Sequence, residues 1–251
     1  MSPVEAEAFR TAVDHFLEYT EFEAYLIHDQ FGVDPSAPDP ADNDILPGNL
    51  GTCILVSNGK ILSNCLIAPS SSIQNSIRDG YQTHLENGKS LRSRIVIPFR
   101  HEKAPETHYL SKNSIWVLVA DNPHNSTAEL FHGKWPAKPH WRHSDSEWLL
   151  LHVCDGILES RPQEFDTVVL VSDRIPCPSC TEVIINFLQE HPTVRLSIGQ
   201  LYDSGKPLTK SARGACHFTD DIGKSPVANR VTLTKLILSV DRTLNIIPYP
   251  I

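Results

Sequence analysis

The stretch that decides the fold runs from Phe165 to Tyr202, FDTVVLVSDRIPCPSCTEVIINFLQEHPTVRLSIGQLY. Its opening run, Phe165–Ser172, is apolar and β-branched without alternation, the pattern of a strand covered on both faces. Residues 178–190 read as a helix and Val194–Tyr202 as a second strand. A buried strand, a helix and another buried strand in that order call for a sheet with helices packed on it.

Working outward, Glu147–Leu158 (EWLLLHVCDGIL) reads as an apolar-rich helix. Ser114–Ala120 and Thr127–His132 read as two strands joined by a turn. A helix around 226–240 and a strand at Leu244–Tyr249 follow. From residue 114 the expected order is β-β-α-β-α-β-α-β, a three-layer α/β arrangement whose mixed sheet has about five strands. Upstream, residues 4–18 place Phe9, Ala12, Val13, Phe16 and Leu17 on one helical face. Residues 33–49, VDPSAPDPADNDILPGN, form a Pro- and Asp-rich linker. The runs on either side of Asn58-Gly59 read as a β-hairpin with a type I′ turn. A helix around 70–87 and a strand at Arg94–Pro98 complete this part. The expectation is an N-terminal α/β extension over 1–110 and a second domain over 111–251.

Bulk properties narrow the function classes. The 251 residues have a net charge of −8, and the mean hydropathy is −0.22. Residues 1–110 hold 15 acids and 8 bases, residues 111–251 hold 15 and 14, so the acidity belongs to the N-terminal part. The global charge therefore does not exclude a nucleic-acid partner for the second half. No apolar run is long enough to span a membrane. The opening MSPVEAEAFR has acids where a secretory signal has a basic region and an apolar core. The expectation is an intracellular protein of cytoplasm or nucleus, with its six cysteines (53, 65, 154, 177, 180 and 216) reduced.

Of those cysteines, Cys177 and Cys180 have a spacing that asks for chemistry. Two thiolates in C-x-x-C can reach one metal, and a helix N-terminus lowers thiol pKa. Taken alone, the pair is also compatible with a redox dithiol, half of a four-cysteine knuckle, or a helix start with two buried thiols. The upstream segment His143-Ser144-Asp145-Ser146-Glu147 favours zinc. His143 with Cys177 and Cys180 makes three protein ligands and leaves one tetrahedral position open, the catalytic zinc pattern. Asp145 or Glu147 supplies a carboxylate to take a proton from water activated there. Such a combination, H-x-E followed by P-C-x-x-C, is the signature of the zinc nucleobase deaminases.

On these residues the chain resembles the AID/APOBEC-type branch of the cytidine deaminase superfamily, over about residues 114–251. PCPSCTEVIINFLQEHPTVRLSIGQLYD is similar to that family's PC-x-x-C helix and following strand. Three features differ. The residue two after His143 is Asp145, with Glu147 two further on. Asp173-Arg174-Ile175 stands where many APOBEC proteins have Ser-Trp-Ser. The chain also ends at the last expected strand, without the additional C-terminal helices those proteins often carry.

The resemblance implies a three-layer deaminase fold and a zinc-dependent cytidine or deoxycytidine deaminase, a hydrolase acting on an amidine C–N bond. Cytosine would become uracil in single-stranded DNA or RNA, with Zn²⁺ on His143, Cys177 and Cys180. Glu147 is the favoured proton carrier, being at i+4 from His143 and having 28 residues between it and Pro176, against 30 for Asp145. The resemblance further implies that Tyr202 stacks a base. Lys206, Lys210 and Arg213 follow it in a loop suited to phosphates. Two alternatives stay open, a deaminase of free cytidine or another small molecule and a catalytically silent zinc-binding interaction protein.

Overall fold

A computed structural model describes residues 1–31, 49–70, 94–99, 115–120, 135, 145–203, 206–207 and 215–249. The chain opens with helix α1 (Pro3–Phe31), followed by strands β1 (Asn49–Ser57), β2 (Lys60–Ser70), β3 (Arg94–Phe99) and β4 (Ile115–Ala120). Helix α2 (Ser146–Ser160), β5 (Thr167–Ser172), α3 (Pro178–Glu190), β6 (Arg195–Asp203) and β7 (Lys206–Pro207) come next. Helix α4 (Ala215–Gly223), a 3₁₀ turn at Ala228–Arg230, β8 (Val231–Leu238) and β9 (Leu244–Pro248) complete the described elements.

All nine strands belong to one sheet in the order β3-β4-β2-β1-β5-β6-β8-β9, with β7 paired to the end of β6. β1 is antiparallel to both β2 and β5, whereas β5, β6 and β8 run parallel. The sheet is mixed, as expected, and β1, β2 and β3 widen it beyond the strands expected from residue 114 on. Helices cover both of its faces. Phe9, Val13 and Phe16 of α1 pack with Leu50, Ile54, Val169, Val171 and Leu236 on one side. On the other, α2, α3 and α4 pack with Cys53, Leu55, Val168, Leu170, Ile198 and Leu233. Successive strand residues alternate between these two cores. That explains why β5, which must be apolar on both faces, shows no alternation in its sequence.

Strands from both sides of residue 110 belong to one sheet. β1, from the N-terminal part, lies in the middle of the sheet and pairs with β5 over Gly51–Val56. Thr52 Oγ1 donates to the Ala12 carbonyl at 3.0 Å and Ser197 Oγ to Glu5 Oε1 at 2.9 Å, so α1 is bonded to strands from both halves. The hairpin turn is as expected: Ser57 pairs with Lys60, and Asn58 and Gly59 have φ of 48° and 74°. Both values lie in the left-handed region that a type I′ turn needs.

One expected element has the wrong type. The helix read around 226–240 is strand β8 over Val231–Leu238, preceded by the 3₁₀ turn. Leu233 faces the α2/α3 core and Leu236 the α1 core, so a two-sided strand imitated helical periodicity. Helix α1 is also longer than the 4–18 expected. The helix expected around 70–87 and the strand at Thr127–His132 lie outside the described residues. Among the described residues no helix is long and apolar enough to cross a membrane.

Candidate metal centre

Two helix starts meet at one edge of the sheet. Helix α3 begins a few residues after β5, with Cys177 as its N-cap and Pro178 in its first turn. Proline suits that position because the first helical N–H has no partner within the helix. The Cys177 sulfur accepts the Cys180 N–H at 3.4 Å, so the first thiol caps the helix that carries the second. Helix α2 begins over β1, which runs antiparallel to β5, so its N-terminus arrives at the same edge. Partial positive charge at two helix starts favours thiolates and carboxylates there.

Asp145 is the N-cap of α2 and makes no side-chain capping bond. An aspartate at this position ordinarily accepts an N–H of the first turn. Here its Oδ2 is turned to the sulfurs instead, 3.5 Å from Cys177 Sγ and 3.3 Å from Cys180 Sγ. The two sulfurs lie 3.3 Å apart in a shared hydrogen bond. Glu147 adds a second carboxylate, with Oε2 3.7 Å from Cys180 Sγ and accepting the Ser146 hydroxyl at 3.0 Å. Asp145, Glu147 and Cys180 are buried and Cys177 is half-buried. The Cys180 thiol holds the Cys177 sulfur below the ordinary thiol range, against the opposing effect of burial. Its hydrogen bond to Cys177, burial and the two carboxylates push Cys180 well above that range.

Asp145, Cys177 and Cys180 can hold a metal ion, since their ligand atoms all lie within 4.8 Å of one another. Tetrahedral zinc, with Zn–S about 2.3 Å and Zn–O about 2.1 Å, needs about 3.8 Å between sulfurs and about 3.6 Å from sulfur to oxygen. The observed 3.3 Å, 3.5 Å and 3.3 Å approach those spacings, so a small outward movement would accommodate the ion. The donor set, two soft thiolates and one carboxylate, suits zinc.

His143, expected as the third ligand, lies outside the described residues. Asp145, expected beside Glu147 as a proton carrier, is instead the carboxylate closest to both thiols. A signal for this was present in the sequence. Asp145-Ser146-Glu147 repeats the spacing of H-x-E with aspartate in the histidine position. His152, on the same helix as Glu147, is a packing residue, its Nδ1 2.8 Å from the Trp148 carbonyl and its ring 3.9 Å from the Trp148 ring. Trp148 and Trp135 are core residues, as their type suggests.

The residues expected to contact nucleic acid fare differently. β6 is parallel to β5 and ends at the same edge. Tyr202 itself is only 6% exposed. Its hydroxyl donates to Gln200 Oε1 at 2.7 Å and lies 3.1 Å from that of Tyr249, and the Lys235 ammonium covers its ring at 4.5 Å. Burial pushes its hydroxyl pKa up, with the Tyr249 hydrogen bond adding to the effect. The ring is thus committed to internal contacts. Lys206 lies in β7, paired with Asp203, and Lys210 and Arg213 lie outside the described residues.

No family model matches the chain, and neither the curated proteins nor the solved structures contain a significant match to it.

Proposed function

We propose that the chain is a zinc-dependent deaminase that hydrolyses the exocyclic amine of cytosine, with Asp145, Cys177 and Cys180 as ligands and Glu147 as proton carrier. The observation that carries this reading is the N-cap carboxylate of Asp145 turned away from its own helix and onto both thiols. With aspartate in the histidine position, Glu147 falls at the i+2 spacing of the deaminase signature. Three protein ligands leave one position for water, whose pKa a bound zinc lowers toward neutrality.

The residues divide the work. Asp145 and the two thiolates would supply three negative charges and hold the ion. The Ser146 hydroxyl restrains the Glu147 carboxylate, which stands beside the thiols without being the closest oxygen to them. Glu147 can carry one proton of the water to N3, which keeps it in uracil, and the second, from the hydroxyl formed at C4, to the departing amine. In balance, water adds at C4, the C4–N bond breaks, and uracil and ammonia leave.

Single-stranded DNA or RNA is the proposed substrate, with Lys206, Lys210 and Arg213 as phosphate contacts. A second reading, free cytidine, is favoured by the burial of Tyr202, which removes the expected base-stacking surface. Purified chain with measured zinc content, incubated with single-stranded DNA, RNA and free nucleosides, tests these readings by mass spectrometry for loss of ammonia. Turnover of oligonucleotides supports the first and turnover of cytidine alone the second. Bound zinc with no deamination of any of them selects a silent zinc-binding interaction protein. Absence of zinc refutes the metal centre.

A further inference from the structure

Beneath the start of α2 the sheet has a gap in its side chains. Gly51 of β1 pairs with Ala68 on one side and Ser172 on the other, so it sits inside the sheet. Its backbone does not require glycine, because its φ lies outside the left-handed region. Glycine inside a strand is unfavourable relative to alanine and often marks a close approach. The close approach here is from α2. A Cβ at Gly51 would lie 2.9 Å from Leu150 Cδ1, 3.0 Å from Ser146 Cβ and 3.2 Å from Ser146 Oγ.

These contacts differ in how easily they yield. Leu150 Cδ1 is the tip of a flexible side chain and can swing away. Ser146 Cβ is one bond from the backbone of the first turn, between Asp145 and Glu147. Relieving that contact means lifting the turn. The Ser146 hydroxyl in the same contact is the one that holds Glu147 Oε2.

We propose that Gly51 is a positioning residue of the metal centre. Its bare backbone seats the first turn of α2 on β1, so that Asp145 reaches both sulfurs and Ser146 holds Glu147. The inference rests on Asp145, Cys177 and Cys180 being metal ligands. Ordinary contact begins at 3.4 Å, so a Cβ at position 51 lifts Ser146 by a few tenths of an ångström. Ligand distances in a metal site tolerate about 0.2 Å. The displacement is small for a core, but it moves the turn that carries Asp145 without moving Cys177 and Cys180, which belong to α3.

Gly51→Ala in the full chain tests this, with zinc affinity and the visible spectrum of the cobalt(II) form as readouts and chelator-treated thermal unfolding as the measure of packing. Zinc affinity should fall by about 10- to 100-fold, the range for losing support behind a ligand. The cobalt bands should shift. Adding Ser146→Gly to Gly51→Ala should return affinity to that of Ser146→Gly alone, whereas adding Leu150→Ala should not. Ser146→Val in the native background presses on the same contact from the helix and should also weaken zinc, with Ser146→Ala retaining it. That comparison still tests the contact if Gly51→Ala does not fold. A folded Gly51→Ala with native zinc affinity and cobalt spectrum overturns the proposal. Recovery through Leu150→Ala in place of Ser146→Gly overturns it too, making Gly51 a core-packing residue. Wild-type chain that binds no zinc removes the metal-centre reading and this inference with it; wild-type binding without the Gly51 effects removes this inference alone.

Discussion

Asp173 carries a stability effect whose sign and size follow from its surroundings. The carboxyl is buried in the segment between β5 and the thiols, and its Oδ1 accepts the Leu50 N–H at 3.2 Å. Burial raises its pKa from 3.8 to about 6, despite the opposing effects of that hydrogen bond and of Arg174. Between those two values the native state keeps a proton that the unfolded chain has released. Stability from this group is therefore highest at low pH, declines as pH rises from about 4 to about 6, and then levels off. Two units at 1.36 kcal/mol each give a penalty of about 3 kcal/mol at neutral pH, an upper bound. Asp173→Asn keeps an oxygen for Leu50 and removes the buried charge. Urea unfolding with chelator present should show the variant up to about 3 kcal/mol more stable at pH 7, with the advantage vanishing near pH 4. Asp173→Ala should gain less, since an unsatisfied Leu50 N–H costs about 1–3 kcal/mol. A difference between Asp173→Asn and wild type that does not change between pH 4 and pH 7 would refute the argument.

Removing a ligand with Cys180→Ala or Asp145→Asn should abolish stoichiometric zinc, read by metal analysis after dialysis against a weak chelator; full retention in either would exclude that residue. Glu147→Gln should keep zinc and lose at least about 100-fold in turnover, as expected for a general acid–base group; unchanged deamination would reassign the proton carrier. Zinc affinity should weaken steeply on acidification, because binding must displace the proton that the raised pKa of Cys180 retains; calorimetric titration in buffers of different ionisation enthalpy would count the protons released. Gly199→Ala should destabilise the fold by about 1–3 kcal/mol through overpacking, since the added Cβ would lie 2.7 Å from Phe9 Cε1 and also meet Leu236; a neutral effect in thermal unfolding would mean that α1 is not seated on β6.

The legible parts of the sequence were those where local chemistry and packing agree. Asn58-Gly59 specifies its turn by backbone preference alone, and the Thr167–Ser172 strand is written in β-branched residues. Cys177 and Cys180 advertise a shared site because three residues at a helix start bring two sulfurs together. The helix Pro178–Glu190 has the bounds that the sequence leads one to expect. The other readings depended on tertiary placement. VTLTKLIL serves two cores at once, and its leucines at 233, 236 and 238 can be placed on a helix as readily as on a strand. The hairpin near Asn58 could not reveal its partner, since pairing with β5 is decided by matching two buried strands far apart in sequence. Asp145 was read by its distance from His143, whereas its direction is set by its N-cap position and the arrival of α3 from β5. Gly51 was invisible for a related reason: its contact is with a helix that begins 95 residues later, at Ser146.

The central position of β1 has a consequence for how the chain acquires its fold. Leu50 and its partner Asp173 are separated by 123 residues. Closing so long a loop costs entropy before the pairing returns anything, and non-local pairing of this kind slows folding. At a synthesis rate of about 5–20 residues per second, α1 and the hairpin wait on the order of 6–25 s before β5 is even made. During that interval the Phe9, Val13 and Phe16 face has no complete sheet to cover it, and one side of β1 has no partner strand. Both are features that chaperones and aggregating neighbours engage. The thiols emerge only after the strand that docks beside β1, so the two sulfurs cannot meet Asp145 until that docking is done. Metal capture would thereby be tied to a long-range pairing step of folding. Substitutions that delay the β1–β5 pairing should reduce the yield of metal-loaded protein in cells more than they reduce the stability of molecules that have already folded.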